Sequence, residues 1–370
     1  MFAARENAGL QQTEKQNKNK RKKGNTVTEI NPTMPELHQS ASPIIDHSFE
    51  FEGKGGEYFR IWMVNVLLSI ITLGIYSAWA TVRTRRYFYA NVKLAGEGFE
   101  YHAEPMQILK GRIIALIAVV LYSLSSALSP LIGGIAVFVL ILVMPSFILL
   151  SLRFSRRMTS YRNIRFSFQG GLREAYMSIL VWPLFSLFTL GILFPLAQVK
   201  LKRFILNNSR YGTEKFVFTG TYSDYGKLLL LYIGIYVAAI LQLALALTVG
   251  VSFLGTTVFI VLIYGGFFFI QPKYMNLVYR RTTLREHSFD STYTGFGFVW
   301  VWFSNIMLTV VTLGLFFPFA KVRLTKYLAE NVTLKAKGSL DDFVASETQK
   351  VSALGQEVGT AFDFDLGIGI

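Results

Sequence analysis

Read for hydropathy, the chain alternates long uncharged runs with short basic segments. Residues 113–152 and 228–272 are 40 and 45 residues without a charged side chain. One bilayer crossing takes about 20 residues, so each run reads as two crossings joined by a short turn. The first turn is marked by Ser129-Pro130 and Gly133-Gly134, the second by the glycines between Gly250 and Gly255. Three further uncharged runs, residues 61–82, 175–199 and 291–320, are each long enough to cross once.

Those three runs share one ending. Thr72-Leu-Gly-Ile-Tyr-Ser-Ala-Trp-Ala, Thr189-Leu-Gly-Ile-Leu-Phe-Pro-Leu-Ala and Thr312-Leu-Gly-Leu-Phe-Phe-Pro-Phe-Ala align without a gap. Thr72, Thr189 and Thr312, then Gly74, Gly191 and Gly314, and farther on Asn91, Asn208 and Asn331 are identical across the copies. Basic residues recur at Arg83, Lys200 and Arg323 and at Arg86, Arg203 and Lys326. Such self-similarity predicts a repeat architecture. Glycine suits a helix end and proline a helix start, so the motif reads as break and restart, the restarted helix lying basic-side-out at the membrane interface.

Upstream, Phe49-Glu50-Phe51, Phe166-Ser167-Phe168 and Phe289-Asp290 lie in register and read as short strands. The pattern predicts a basic tail at 1–45 and a first unit at 46–158, with motif segment 59–82 and hydrophobic hairpin 113–152. A second unit follows at 159–281, with segments 175–199 and 228–272, then a partial third at 282–338 with segment 296–320, and an acidic tail at 339–370, read as solvated, with docking on the basic loops by charge complementarity as the alternative. The expected fold is an all-α polytopic membrane protein built from internal repeats, with short strands and hairpins in a small cytoplasmic layer.

Composition agrees: 52% hydrophobic, and 16% charged against about 25% in soluble domains. The net charge of +14 sits beside the apolar runs, where it meets anionic lipid, so nucleic acid is not needed as a partner. No cysteine is present, which removes thiolate chemistry and disulfides. If all seven segments cross once, basic residues divide 18 against 18 and no positive-inside bias remains. If the three Thr-Leu-Gly segments instead enter and return, every basic segment falls on one side.

His47-Ser-Phe with Phe51 and Gly53, the Thr72-Leu-Gly edge, Arg86-Tyr87 and the tail residues Leu340-Asp-Asp-Phe-Val-Ala together resemble the YjgN-like family of bacterial inner-membrane proteins. The resemblance implies a multi-pass protein of the bacterial inner membrane. It supplies no reaction and no catalytic residue.

No catalytic motif is found, and neither a cofactor nor a metal site is expected; His102 beside Glu100 and Glu104 reads as a solvated loop rather than a zinc site. Two classes of non-enzymatic function stay open. Asn65 and Asn305, at one repeat position inside apolar segments, and the broken helices point to a transporter or channel for a small solute. The basic pairs Arg83/Arg86, Lys200/Arg203 and Arg323/Lys326 point instead to a membrane-organising protein that binds anionic head groups. The sequence leaves the oligomeric state open.

Overall fold

The computed structural model describes residues 43–365. Its strands are β1 (Ile44–Phe51), β2 (Val92–Leu94), β3 (Glu97–Tyr101), β4 (Thr159–Tyr161), β5 (Ile164–Phe168), β6 (Ser209–Tyr211), β7 (Glu214–Phe218), β8 (Thr282–Leu284), β9 (His287–Ser291) and β10 (Val332–Lys337). They pair antiparallel in chain order and close β10 onto β1, forming a ten-stranded barrel. Two-residue loops, Ala95-Gly96, Arg162-Asn163, Gly212-Thr213 and Arg285-Glu286, join the strands at one end; left-handed backbone angles at Ala95, Gly96, Arg162 and Asn163 match the twist a tight hairpin needs.

A helical hairpin leaves each of the five strand ends at the other rim and returns to the next strand. Hairpins α1–α2 (Gly55–Ile71, Ser77–Asn91), α5–α6 with α7 (Leu172–Tyr176, Trp182–Phe188, Phe194–Asn207) and α10–α11 (Gly295–Val311, Phe317–Glu330) are short. A π-helical turn, Met177–Val181, joins α5 to α6 just ahead of Pro183, whose missing N–H breaks the regular ladder. Hairpins α3–α4 (Pro105–Leu128, Pro130–Arg157) and α8–α9 (Tyr222–Thr248, Ser252–Arg280) are long, and these four helices are long and apolar enough to cross a membrane. Neighbouring hairpins pack side by side, and α11 packs against α1, so the helices close a ring above the barrel.

This corrects the expected all-α repeat protein with a small strand layer: the organising element is a closed barrel. Three- and five-residue strands carry too little alternation to announce a sheet, and the closing pair, Ile44 with Lys337, joins the first strand to the last. The barrel also disposes of single crossings by the Thr-Leu-Gly segments. β1 and β2 are hydrogen-bonded neighbours, Phe51 opposite Val92, so everything between them returns to the rim it left. β1 begins at Ile44, inside the stretch read as tail; the remainder of that basic tail lies outside the described residues. The acidic segment read as solvated forms helix α12 (Leu340–Asp365), whose first turns dock on the barrel because Leu340, Phe343 and Val344 bury apolar surface there.

The turn at each Thr-Leu-Gly motif has one construction. Leucine and glycine both take left-handed angles, φ 50° and 91° in the first copy, 49° and 86° in the second, 48° and 92° in the third. The threonine hydroxyl donates back to the outgoing helix (Leu68, Phe185 and Leu308 carbonyls) and accepts the first free N–H of the returning one, from Tyr76, Leu193 and Phe316. One hydroxyl thus caps two helices, which explains why threonine stands at all three turns. Leu73, Leu190 and Leu313 at the tips are each 95% exposed, apolar side chains presented outward.

Candidate functional site

Strand register fixes what lines the barrel. Phe49 lies opposite Leu94, Phe99 opposite Tyr161, Phe166 opposite Tyr211, Phe216 opposite Leu284 and Phe289 opposite Leu334. Across the next ladder Leu94, Tyr161, Tyr211, Leu284 and Leu334 meet Glu97, Ile164, Glu214, His287 and His47, each two residues before the next phenylalanine. Five steps of two residues return to the start, so the shear equals the strand number and the strands tilt by about 36°. As in other barrels of equal shear and strand number, alternate strands supply each interior layer. Here one layer is five phenylalanines; the other is Leu94, Tyr161, Tyr211, Leu284 and Leu334.

Both layers are uncharged. Successive phenylalanine ring centroids are 6.3, 6.5, 6.4 and 6.2 Å apart from Phe49 through Phe289. The tyrosine hydroxyls are already spent on the wall: Tyr161 donates to the Leu94 carbonyl at 2.7 Å and Tyr211 to the Tyr161 carbonyl at 3.2 Å. Burial pushes both phenols above the usual tyrosine range, keeping them protonated donors.

Helix α12 closes the loop end over the leucine–tyrosine layer. Leu340, Phe343 and Val344 join that layer in one buried cluster, Phe343 stacking on Tyr211 (6.2 Å) and meeting His287 edge to face (4.5 Å). Polar ties ring the contact. Asp341 pairs with Arg162, and Lys350 reaches Glu214 at 2.9 Å. Glu347, with no exposed surface, accepts from the Thr213 N–H (2.9 Å), the Thr213 hydroxyl (2.7 Å) and Lys350 (2.7 Å). Burial alone would raise the Glu347 pKa, but those donors bring it below the usual carboxylate range.

The cap is therefore acid-sensitive. Burial, then Arg285, hold His287 below the usual histidine range, and its Nδ1 accepts from the Lys337 N–H at 3.2 Å, which requires that nitrogen unprotonated. Arg285, Glu286, Lys337 and Asp342 are the charged groups around it. A folded pKa lowered below the unfolded value stabilises above the latter, 6.5, and that contribution is lost as pH falls through the depressed value. Glu347 follows the same sign at more acid pH. Loosening of α12 on acidification is expected, read as increasing thiol labelling of a Ser346→Cys variant; labelling independent of pH would remove this account.

The residues singled out from sequence do not converge on one site. Asn65 and Asn305 clamp the two arms of their hairpins, donating to the Ala80 and Ala320 carbonyls at 3.5 and 3.1 Å. Arg323 donates to Asn305 at 3.1 Å, and Lys326 faces Glu330 at 3.7 Å on its own helix. Arg86 and Arg203 donate to loop carbonyls of Ala103 and Gly220, fastening returning helices to the strand that follows. Lys200 lies over the Trp182 ring at 5.6 Å, and Arg83 is exposed. Asn91, Asn208 and Asn331 turn back to cap the returning helices on the carbonyls of Tyr87, Phe204 and Tyr327. His102 bonds Ser160 at 2.7 Å beside Glu100, while Glu104 caps α3.

Sequence reasoning noticed Phe49, Phe166 and Phe289 as strand residues but missed Phe99 and Phe216. A signal was there: an aromatic two residues from another occurs at Phe49/Phe51, Phe99/Tyr101, Phe166/Phe168 and Phe216/Phe218, at four of the five hairpin bases, with Ser291 in the second place at the fifth.

The family described as bacterial protein of unknown function (DUF898) matches residues 46–361. Inner membrane protein YjgN of Salmonella typhimurium is 25% identical over 82% of this chain and 92% of its own length. Inner membrane protein YjgN of Escherichia coli K12 is 33% identical over 150 residues, 40% of this chain and 37% of its own. No solved structure matches.

Proposed function

The chain belongs to the DUF898 family of bacterial proteins of unknown function, and on that footing we propose that it is a multi-pass inner-membrane conduit for a small solute, not an enzyme. The observation that carries this reading is the closed lumen: an uncharged barrel bore, ringed at one rim by helices and covered at the other by a separate, polar-latched helix. In this reading the four long helices span the bilayer and the three short hairpins dip in from the barrel side. At 1.5 Å per residue their 17-residue outgoing arms reach about 25 Å, short of the long hairpins.

Charge sets the orientation. Helices α1 to α11 carry 19 lysines and arginines against four acids, all within ten residues of a barrel-side end. The positive-inside tendency puts the barrel in the cytoplasm. The same collar meets anionic head groups, which keeps lipid as a partner without requiring a dedicated lipid site.

Two measurements test this. Single cysteines at Gly96, Asn163 and Glu286 should all label from the cytoplasm, while cysteines at Leu128 and Val249, at the far tips of the long hairpins, label only from outside; mixed labelling among the barrel loops sinks the topology. Vesicles holding the Glu347→Lys variant should release an entrapped small ion at least tenfold faster than vesicles holding the parent chain. Equal, background release from both ends the conduit reading.

A further inference from the structure

Ring orientation in the phenylalanine layer carries information about what can pass. Five rings related by turns of about 72° would show interplanar angles near that value if their faces, or their flanks, were turned to the axis. Successive pairs instead make angles of 12°, 26°, 17° and 32°. Small angles between rings disposed around an axis are possible only if the ring normals lie close to that axis. The five rings therefore lie nearly flat across the bore, each anchored at the wall with its far edge pointing inward.

Dimensions follow from the spacing. Centroids about 6.3 Å apart on a pentagon stand about 5 Å from the axis, and inward C–H edges leave a free radius of about 2 Å. That width admits a water molecule or a bare small ion but not an ion with its full hydration shell. Strand register puts Phe289, through Leu334 and His47, at the same height as Phe49, so all five residues share one layer, with four ring-to-ring contacts among them.

An aromatic ring is electronegative on its face and electropositive along its edge. Cations are held by faces, and none is offered to the axis. An anion meets a girdle of positive edges. The helices on that side have the same sign, 19 basic against four acidic residues within α1 to α11, among them Lys321 and Arg112, which line the cleft beside α1 and α2.

We propose that the phenylalanine layer, Phe49, Phe99, Phe166, Phe216 and Phe289, is an edge-lined selectivity constriction that passes small monovalent anions and rejects cations. This rests on the conduit reading above. Its substrates are ions that shed water cheaply, of chloride or nitrate size; multivalent oxyanions hold their hydration shells too firmly for the width.

The test uses the full-length Glu347→Lys chain in vesicles, with chloride and potassium as probes. Chloride should permeate at least tenfold faster than potassium. Replacing Phe99 and Phe216 by leucine in that background keeps the bore apolar but removes two edges, and the preference should fall to about threefold or less. Potassium passing as fast as chloride, or a preference unmoved by the leucines, overturns the proposal while leaving a conduit in place. No permeation of either ion, with α12 shown undocked by Ser346→Cys labelling, overturns the conduit and the constriction together. Phe343→Asn, which loosens α12 from its apolar side, provides a second uncapped chain if Glu347→Lys does not fold.

Discussion

Glu347→Lys is expected to free α12 from the barrel. The wild-type carboxylate is fully buried and satisfied by three donors, two from Thr213 and one from Lys350. Lysine leaves the Thr213 N–H without an acceptor and sets two ammonium groups together. Breaking a buried charged contact in this way costs about 3–5 kcal/mol. The apolar hold of Leu340, Phe343 and Val344 is of similar size, about 1.5–3 kcal/mol per fully buried side chain, so the helix becomes marginal rather than merely weakened. Labelling of Ser346→Cys should accelerate by at least a hundredfold over the parent. Glu347→Gln, which retains acceptance from Thr213, should show a much smaller change. Comparable effects from both would mean that the latch is not the buried charge.

Tyr58→Ala should have the largest effect on the fold itself. Tyr58, 2% exposed, packs edge to face on Phe88 (4.7 Å) and lies near-parallel to Tyr87 (5.5 Å) within the first hairpin. Lys321 of α11 stands over its ring at 5.5 Å, and Val322 and Ala329 of the same helix share its cluster. One side chain therefore joins the first hairpin to the last, at the seam where the helix ring closes. Truncation to alanine should cost about 3–5 kcal/mol. Tyr58→Phe keeps the ring and should lie within about 1 kcal/mol of the parent. Retained cross-linking between cysteines on α1 and α11 in Tyr58→Ala, at unchanged thermal stability, would show that the seam is held elsewhere.

Much of the local structure was legible in residue order. Threonine, leucine and glycine at residues 72–74, 189–191 and 312–314 announced a helix end and a restart, and the structure adds the double cap that makes threonine necessary. Asn65 and Asn305 stood out as polar residues inside apolar segments and pointed to a solute path; their side chains bond across their own hairpins. The basic pairs looked like one converging set because they align in sequence. In space they sit on three separate hairpins, and alignment says nothing about distance.

The site was nearly illegible. Phe99 and Phe216 share a layer with Phe49, Phe166 and Phe289 because a shear of two residues per hairpin brings them to one height, a quantity held in pairing between strands. Docking of the acidic segment on basic loops was open from charge alone, as Asp341 on Arg162 bears out, but its apolar hold was hidden. Six acids among residues 339–370 suggested solvation, yet the helix they form puts Glu347 inside and an apolar stripe on the bore.

By itself, then, the sequence determined two long hairpins of helices apolar enough to cross a membrane and the break at each Thr-Leu-Gly, because hydropathy and capping act over a few residues. Only tertiary structure decided that the short segments return, that ten short strands close on one another, and that five phenylalanines lie edge-in around one axis. Those follow from hydrogen-bond register between residues as far apart as Ile44 and Lys337, which no local pattern encodes.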